Sequence, residues 1–125
     1  MDGAHRDLAV VAISIDCADH DSLAAFYARL LNGRVDWRTD GAAGVRAGSL
    51  HLIAQRVTDY RPPAWPGTSI VHLDLSCRDI DLAAQTAYAI DCGATAAVVQ
   101  PDPRWVVMLD PAGHPFCLTP FTPPK

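Results

Sequence analysis

Apolar and polar residues alternate with period two at two places in the chain. Ile13, Ile15 and Cys17 interleave with Ser14 and Asp16, and Leu73, Leu75 and Cys77 interleave with His72, Asp74 and Ser76. Such alternation predicts a strand with one buried face and one polar face. An aspartate follows each run, Asp19 and Asp79, placed to cap a helix by accepting from the free amides of its first turn. Beyond Asp19, Leu23, Phe26, Tyr27, Leu30 and Leu31 fall on one helical stripe; beyond Asp79, Ile80, Ala83, Ala84, Ala87 and Ile90 do the same with smaller side chains. Gly33 and Gly93 stand where a left-handed residue would end each helix.

Shorter apolar pieces follow each helix. In the first half they are 35–38 and 45–57, divided by a glycine-rich turn over Gly41–Gly44. In the second half they are 96–99, 104–109 and 115–119, divided by the turns QPDP and DPAG. In the latter turn, proline at the second position and glycine at the fourth suit type I geometry. The two halves register without a gap at an offset of 60 residues, Cys17 on Cys77, Asp21 on Asp81 and Ala24 on Ala84 among the identities. The reading is α+β: one domain over 1–125, made of two tandem βαβββ modules at 8–57 and 70–120. The segment 58–69, TDYRPPAWPGTS, is too rich in proline to be regular and joins them.

Composition narrows the function classes. At 125 residues and 50% hydrophobic, the chain has room for one real core. A net charge of -4, with Lys125 the single lysine, leaves no basic stripe for nucleic acid. No apolar stretch approaches the roughly 18 residues of a membrane span, and MDGAHRD lacks the layout of a signal peptide, so a soluble, cytoplasmic protein is expected. The cysteines, at 17, 77, 92 and 117, form no CxxC pair and read as buried free thiols. All fourteen acidic residues are Asp; there is no Glu.

The polar strand faces carry the functional expectation. If the two sheets curve toward one another, those faces line a cleft rather than meet bulk water. The strand followed by CADHDSLAAFYARLLNG, the segment HLDLSCRDIDLAA, the CGA after the second helix and the DPAGHPFCL near the end resemble the vicinal oxygen chelate superfamily, which includes glyoxalase I, extradiol dioxygenases, fosfomycin-modifying enzymes and bleomycin-resistance proteins. The resemblance spans nearly the whole chain. It implies paired βαβββ units around a cup, commonly in a homodimer. It also implies metal ligands at Ala12, Ile53, His72 and Cys117, of which only His72 is an obvious donor, and the family's usual Glu is missing.

A metal-free cup is therefore expected, holding its ligand through Ser14, Asp16, Trp37, His51, Gln55, Trp65, His72, Asp74, Trp105 and Cys117. Trp65, in a stiff linker flanked by Pro62, Pro63 and Pro66, suits stacking on a planar or cationic small molecule. No catalytic residue is assigned. If a divalent metal binds after all, His72 with His51 or Asp74 is its place. The alternative function is a metal-dependent lyase, isomerase or dioxygenase of the same superfamily with an atypical ligand set. A purely structural module would instead show a filled cup.

Overall fold

The computed structural model describes residues 8–67, 71–76 and 81–120. The first module runs β1 (Ile13–Cys17), α1 (His20–Leu30), β2 (Arg34–Arg38), β3 (Ala42–Ala47) and β4 (Leu50–Arg56). The second runs β5 (Leu73–Ser76), α2 (Leu82–Cys92), β6 (Thr95–Ala96), β7 (Val106–Leu109) and β8 (Pro115–Thr119). Each module folds its strands into a four-stranded sheet, in the orders β1-β4-β3-β2 and β5-β8-β7-β6. In each, the first strand pairs in parallel with the last and the other pairings are antiparallel. The repeated βαβββ order and the α+β class are those the alternation predicts.

The alternation also sets the faces. Cys17 of β1, Val45 of β3 and Leu52 and Ala54 of β4 are buried beneath α1, which contributes Leu23, Ala24, Phe26 and Tyr27. Ser14 pairs with Ile53 and Asp16 with Gln55, so His51, Ile53 and Gln55 share the opposite, polar face. Phe116 and Leu118 of β8 and Met108 of β7 belong to the same core cluster as α1, so both modules bury one continuous core. Phe26 and Tyr27 bring their rings to 6.1 and 6.4 Å from Phe116. Arg29 and Asp91 join the two helices outside that contact at 2.6 Å.

Asp19 caps α1 as expected, accepting from the Ser22 amide at 3.1 Å and its hydroxyl at 2.8 Å. Those bonds hold its carboxyl below the ordinary 3.8. A carboxyl with a lowered folded pKa contributes stability that is complete above its unfolded pKa and is lost as pH falls through the folded one. The destabilisation caused by Asp19→Ala should therefore shrink between about pH 5 and pH 2. Urea midpoints of the two proteins at both pH values check it; an unchanged difference would contradict the cap.

Several local expectations are corrected. The helix α2 starts at Leu82, capped by Asp81 through the Ala84 amide at 2.7 Å, whereas Asp79 and Ile80 lie outside the described residues. Its inward face carries Leu82, Thr86, Ala89 and Cys92; Ala83, Ala84, Ala87 and Ile90 face outward. Alanines on both sides of this helix make its buried face illegible by size, and contact with β6 and β8 decides it. The left-handed residue after α1 is Asn32 at φ 53°, while Gly33 is needed for clearance: a Cβ there would meet the Arg46 carbonyl oxygen. The glycine-rich turn lies at 39–41, and Gly44 sits inside β3. The strand expected over 96–99 is confined to Thr95–Ala96.

The DPAG turn closes as predicted. The Gly113 amide bonds the Asp110 carbonyl at 2.9 Å, and Asp110 Oδ1 accepts from the amides of Ala112 and His114 at 2.8 and 3.0 Å. Its other oxygen accepts the buried Tyr27 hydroxyl at 2.6 Å, tying the turn to α1. Burial, then Asp110, pushes the Tyr27 hydroxyl well above its ordinary range. Cys17 and Cys117 are buried free thiols, Cys92 is half-buried, and Cys77 lies outside the described residues.

Candidate functional site

A cleft of about 330 Å³ opens on the polar face of the second sheet, lined by Trp65, His72, Asp74, Pro101, Trp105, Val107, Cys117 and Thr119. Its floor is a product of strand register. On β5, Leu73 and Leu75 turn toward the core, which leaves Asp74, and His72 just before the strand, on the cleft side. On β8, Phe116 and Leu118 turn inward, which leaves Cys117 and Thr119. Cys117 has Asp74 as its register partner on one side and Val107 on the other, so the three form a row across the sheet.

The walls come from outside the strands. Trp65 donates its indole N–H to the Val99 carbonyl at 3.0 Å, which fixes the linker beside the 97–105 loop. Gln100 braces that loop: its amide nitrogen donates to the carbonyls of Ala97 and Val107 and its oxygen accepts from the Val107 amide, each at 2.8 Å. The Arg104 guanidinium lies 5.3 Å from the Trp105 ring and bonds Asp102 at 2.7 Å. Pro101, Val107, Thr119 and the brace Gln100 carry no motif and were not anticipated. Val107 faces the cleft as the row partner of Cys117, which needs the register; Gln100 and Pro101 stand in a loop, and Thr119 follows Cys117 by two on β8.

His72 Nε2 stands 3.2 Å from Asp74 Oδ1. One ligand atom each from His72, Asp74 and Cys117 lie within 4.8 Å of one another. Burial, followed by Asp74, pushes the Cys117 thiol up to about 11, so it is protonated at neutral pH. Among the described residues the lining holds one carboxylate and no Lys or Arg, an environment that favours cations over anions.

The ten anticipated residues do not share one cavity. Trp65, His72, Asp74, Trp105 and Cys117 line the cleft. Ser14 and Asp16 line a groove of about 270 Å³ at the seam between β1 and β5, where His72 is shared. Trp37 and His51 pair with each other on the first sheet, indole N–H to Nε2 at 3.0 Å, with the indole packed on Gly44 so closely that a Cβ there would collide with it. Asp36 approaches His51 at 4.0 Å. Gln55 is exposed at the far end of that face. His114, to which the sequence assigned nothing, donates to or accepts from Tyr60 at 3.1 Å and reaches the Asp16 carbonyl at 2.6 Å, stitching linker, seam and DPAG turn together.

The model of the glyoxalase-like domain family matches residues 12–119. The chain belongs to that family. Solved structures of similar fold include the fosfomycin resistance protein FosX of Listeria monocytogenes, with Mn(II) and 1S,2S-dihydroxypropylphosphonic acid bound, at TM-score 0.69 and 13% identity over 91% of this chain and 90% of that one. A glyoxalase family protein of Enterococcus faecalis aligns at TM-score 0.67 and 16% identity, over 90% and 98%. A glyoxalase/bleomycin resistance protein/dioxygenase family enzyme of Burkholderia phytofirmans aligns at 0.63 and 15%, over 86% and 94%. No curated protein matches. At these identities the likeness speaks for the fold.

The four metal positions implied by the glyoxalase-like family do not fit this chain. Ala12 and Ile53 have no donor atom, and Ile53 lies across the first sheet beside Ser14. Only His72 and Cys117 come together, and the nearby third donor is Asp74 rather than a glutamate. A hard divalent ion prefers an oxygen-rich shell, which one carboxylate and one thiol do not supply.

Proposed function

We propose that this glyoxalase-like protein binds a small aromatic or cationic organic molecule in the cleft of its second module. One observation carries the reading: two tryptophans, one on a braced linker, flank an open cleft whose floor holds a carboxylate and a histidine and whose lining, among the described residues, has no fixed positive charge. The volume suits a ligand of modest size. Stacking on Trp65 or Trp105 contributes about 0.5–2 kcal/mol per contact to a bound cation. Asp74 adds charge complementarity, and the bracing of Trp65 and Gln100 reduces the ordering cost of binding. This reading uses no metal.

The test is a thermal-shift and fluorescence screen of aromatic amines and planar organic cations, run with EDTA present. A binder stabilises the native state by mass action. Trp65→Ala should weaken it about 2- to 30-fold. Asp74→Asn should weaken cationic binders and leave neutral aromatics unchanged. If no cationic or aromatic compound binds, or if Trp65→Ala leaves affinity unchanged, the reading fails.

A second copy of the chain is the partner this reading expects. Leu8, Val10 and Val11 are exposed by 91%, 87% and 82% beside β1, and Val98 by 99% near the cleft wall. Exposed apolar side chains such as Leu8, Val10 and Val11 suit a protein interface. Light scattering at micromolar concentration should give twice the chain mass; a monomer would contradict it.

A further inference from the structure

We infer that Arg34 and Arg46 form a clamp for a small oxyanion of the phosphate-monoester class, at the end of α1 beside the β2–β3 edge of the first module. The inference goes beyond the ligand-binding reading and does not rest on it. The tryptophan cleft belongs to the second module and favours positive charge, whereas this clamp takes a different class of ligand, one with negative charge.

Strand register creates the clamp. Arg34 opens β2, the outer strand of its sheet, and Arg46 is its antiparallel partner on β3. Side chains directly opposite on such a pair start about 4.5–5.5 Å apart at Cβ, and like charges placed there destabilise the sheet. Asp36, which could offset the repulsion, brings its Oδ2 to 3.8 Å from the Arg46 Nε, beyond hydrogen-bond length. Among the described residues neither guanidinium finds a hydrogen-bond acceptor. The two side chains instead line an open hollow of about 570 Å³ with Asn32, Gly33 and Gly48, and its described lining includes no acidic residue.

Helix capping does not account for the arginines. The last carbonyls of α1, those of Tyr27, Ala28 and Arg29, already accept from the backbone amides of Leu31, Gly33 and Asn32 at 3.0, 2.8 and 3.3 Å. The base of the hollow is fixed by close packing: a Cβ on Gly33 would collide with the Arg46 carbonyl oxygen, and the flanking turns hold Asn32 and Gly48 at φ 53° and 58°. An oxyanion between the two forks takes N–H donors from both and removes the repulsion between them, the planar, bidentate recognition that guanidinium offers to phosphate. Two positive charges favour a dianion over a monoanion.

Methyl phosphate added to the nitrogen-15-labelled chain at fixed ionic strength tests this, with acetate and chloride as comparison anions. The expected result is that the Nε–H signals of Arg34 and Arg46 and the amide signals of Gly33 and Gly48 move along one curve that saturates at one equivalent. Acetate should bind more weakly, and chloride should not saturate. Both arginine side chains are open to solvent, so Arg34→Gln and Arg46→Gln keep the fold, and each should weaken methyl phosphate about tenfold by removing one charge-assisted fork. Shifts that grow without saturating, equal shifts with chloride, or unchanged affinity in either variant would each overturn the clamp. So would movement of the Trp65 and Trp105 indole signals in place of the arginine signals. The probe has no ring and no positive charge, so failure of this experiment and failure of the organic-cation screen are distinguishable.

Discussion

Asp110→Ala is expected to lower the free energy of unfolding by about 3–4 kcal/mol. Asp110 is 4% exposed and receives three hydrogen bonds, from the amides of Ala112 and His114 and from the Tyr27 hydroxyl. Alanine removes all three and leaves the Tyr27 hydroxyl, on a side chain 3% exposed, without its acceptor. A buried hydroxyl stripped of its partner costs about 1–3 kcal/mol by itself. Tyr27→Phe removes the same bond from the other end and should cost less, because the two amides keep their acceptor. Urea unfolding of the single and double variants measures the coupling. A loss under about 1 kcal/mol for Asp110→Ala would show that the turn does not depend on its carboxylate.

Phe116→Ala should cost about 3–5 kcal/mol. Phe116 is fully buried and is where the second module's central strand meets Phe26 and Tyr27 of the first module's helix. Removing the ring opens a cavity at the junction rather than inside one module. Since the core cluster is continuous across both, the variant should still unfold in a single transition, shifted to lower urea, with far-UV circular dichroism and tryptophan fluorescence coincident. Two separated transitions would show that the modules are independent units.

The fold was legible because its signals are local and repeated. Ile13 to Cys17 and Leu73 to Ser76 each declare a face by alternation, and Asp19 and the DPAG turn declare a boundary by chemistry. Where side-chain size carries no contrast, as along the alanines of α2, tertiary contact decides and the sequence misleads. Gly44 looks like turn chemistry yet serves as clearance for the Trp37 indole, a requirement created by a strand pairing rather than by its neighbours in sequence.

The site was legible by residue type but not by grouping. His72, Asp74 and Cys117 could each be placed on a polar face, and the register then brings Asp74 and Cys117 side by side. Trp37 and His51 satisfy the same pattern on the first sheet, yet they occupy each other there, indole N–H to imidazole, and lie apart from the cleft. Strand alternation tells which face a side chain takes; it does not tell which sheet's face encloses a cavity. Gln100, which braces the cleft wall through three hydrogen bonds, stands in a loop where no periodicity operates.

The central claim is that ligand recognition belongs to the second module's cleft and not to the polar face of the first sheet. Three tryptophans report on it, Trp65 and Trp105 in the cleft and Trp37 outside. Their indole N–H resonances in the nitrogen-15-labelled protein, assigned by single Trp→Phe variants, can be followed while a planar organic cation from the screen is added. The account predicts that the signals of Trp65 and Trp105 move along one saturable curve while that of Trp37 stays in place. Movement of Trp37 with Trp65 and Trp105 unchanged would contradict it.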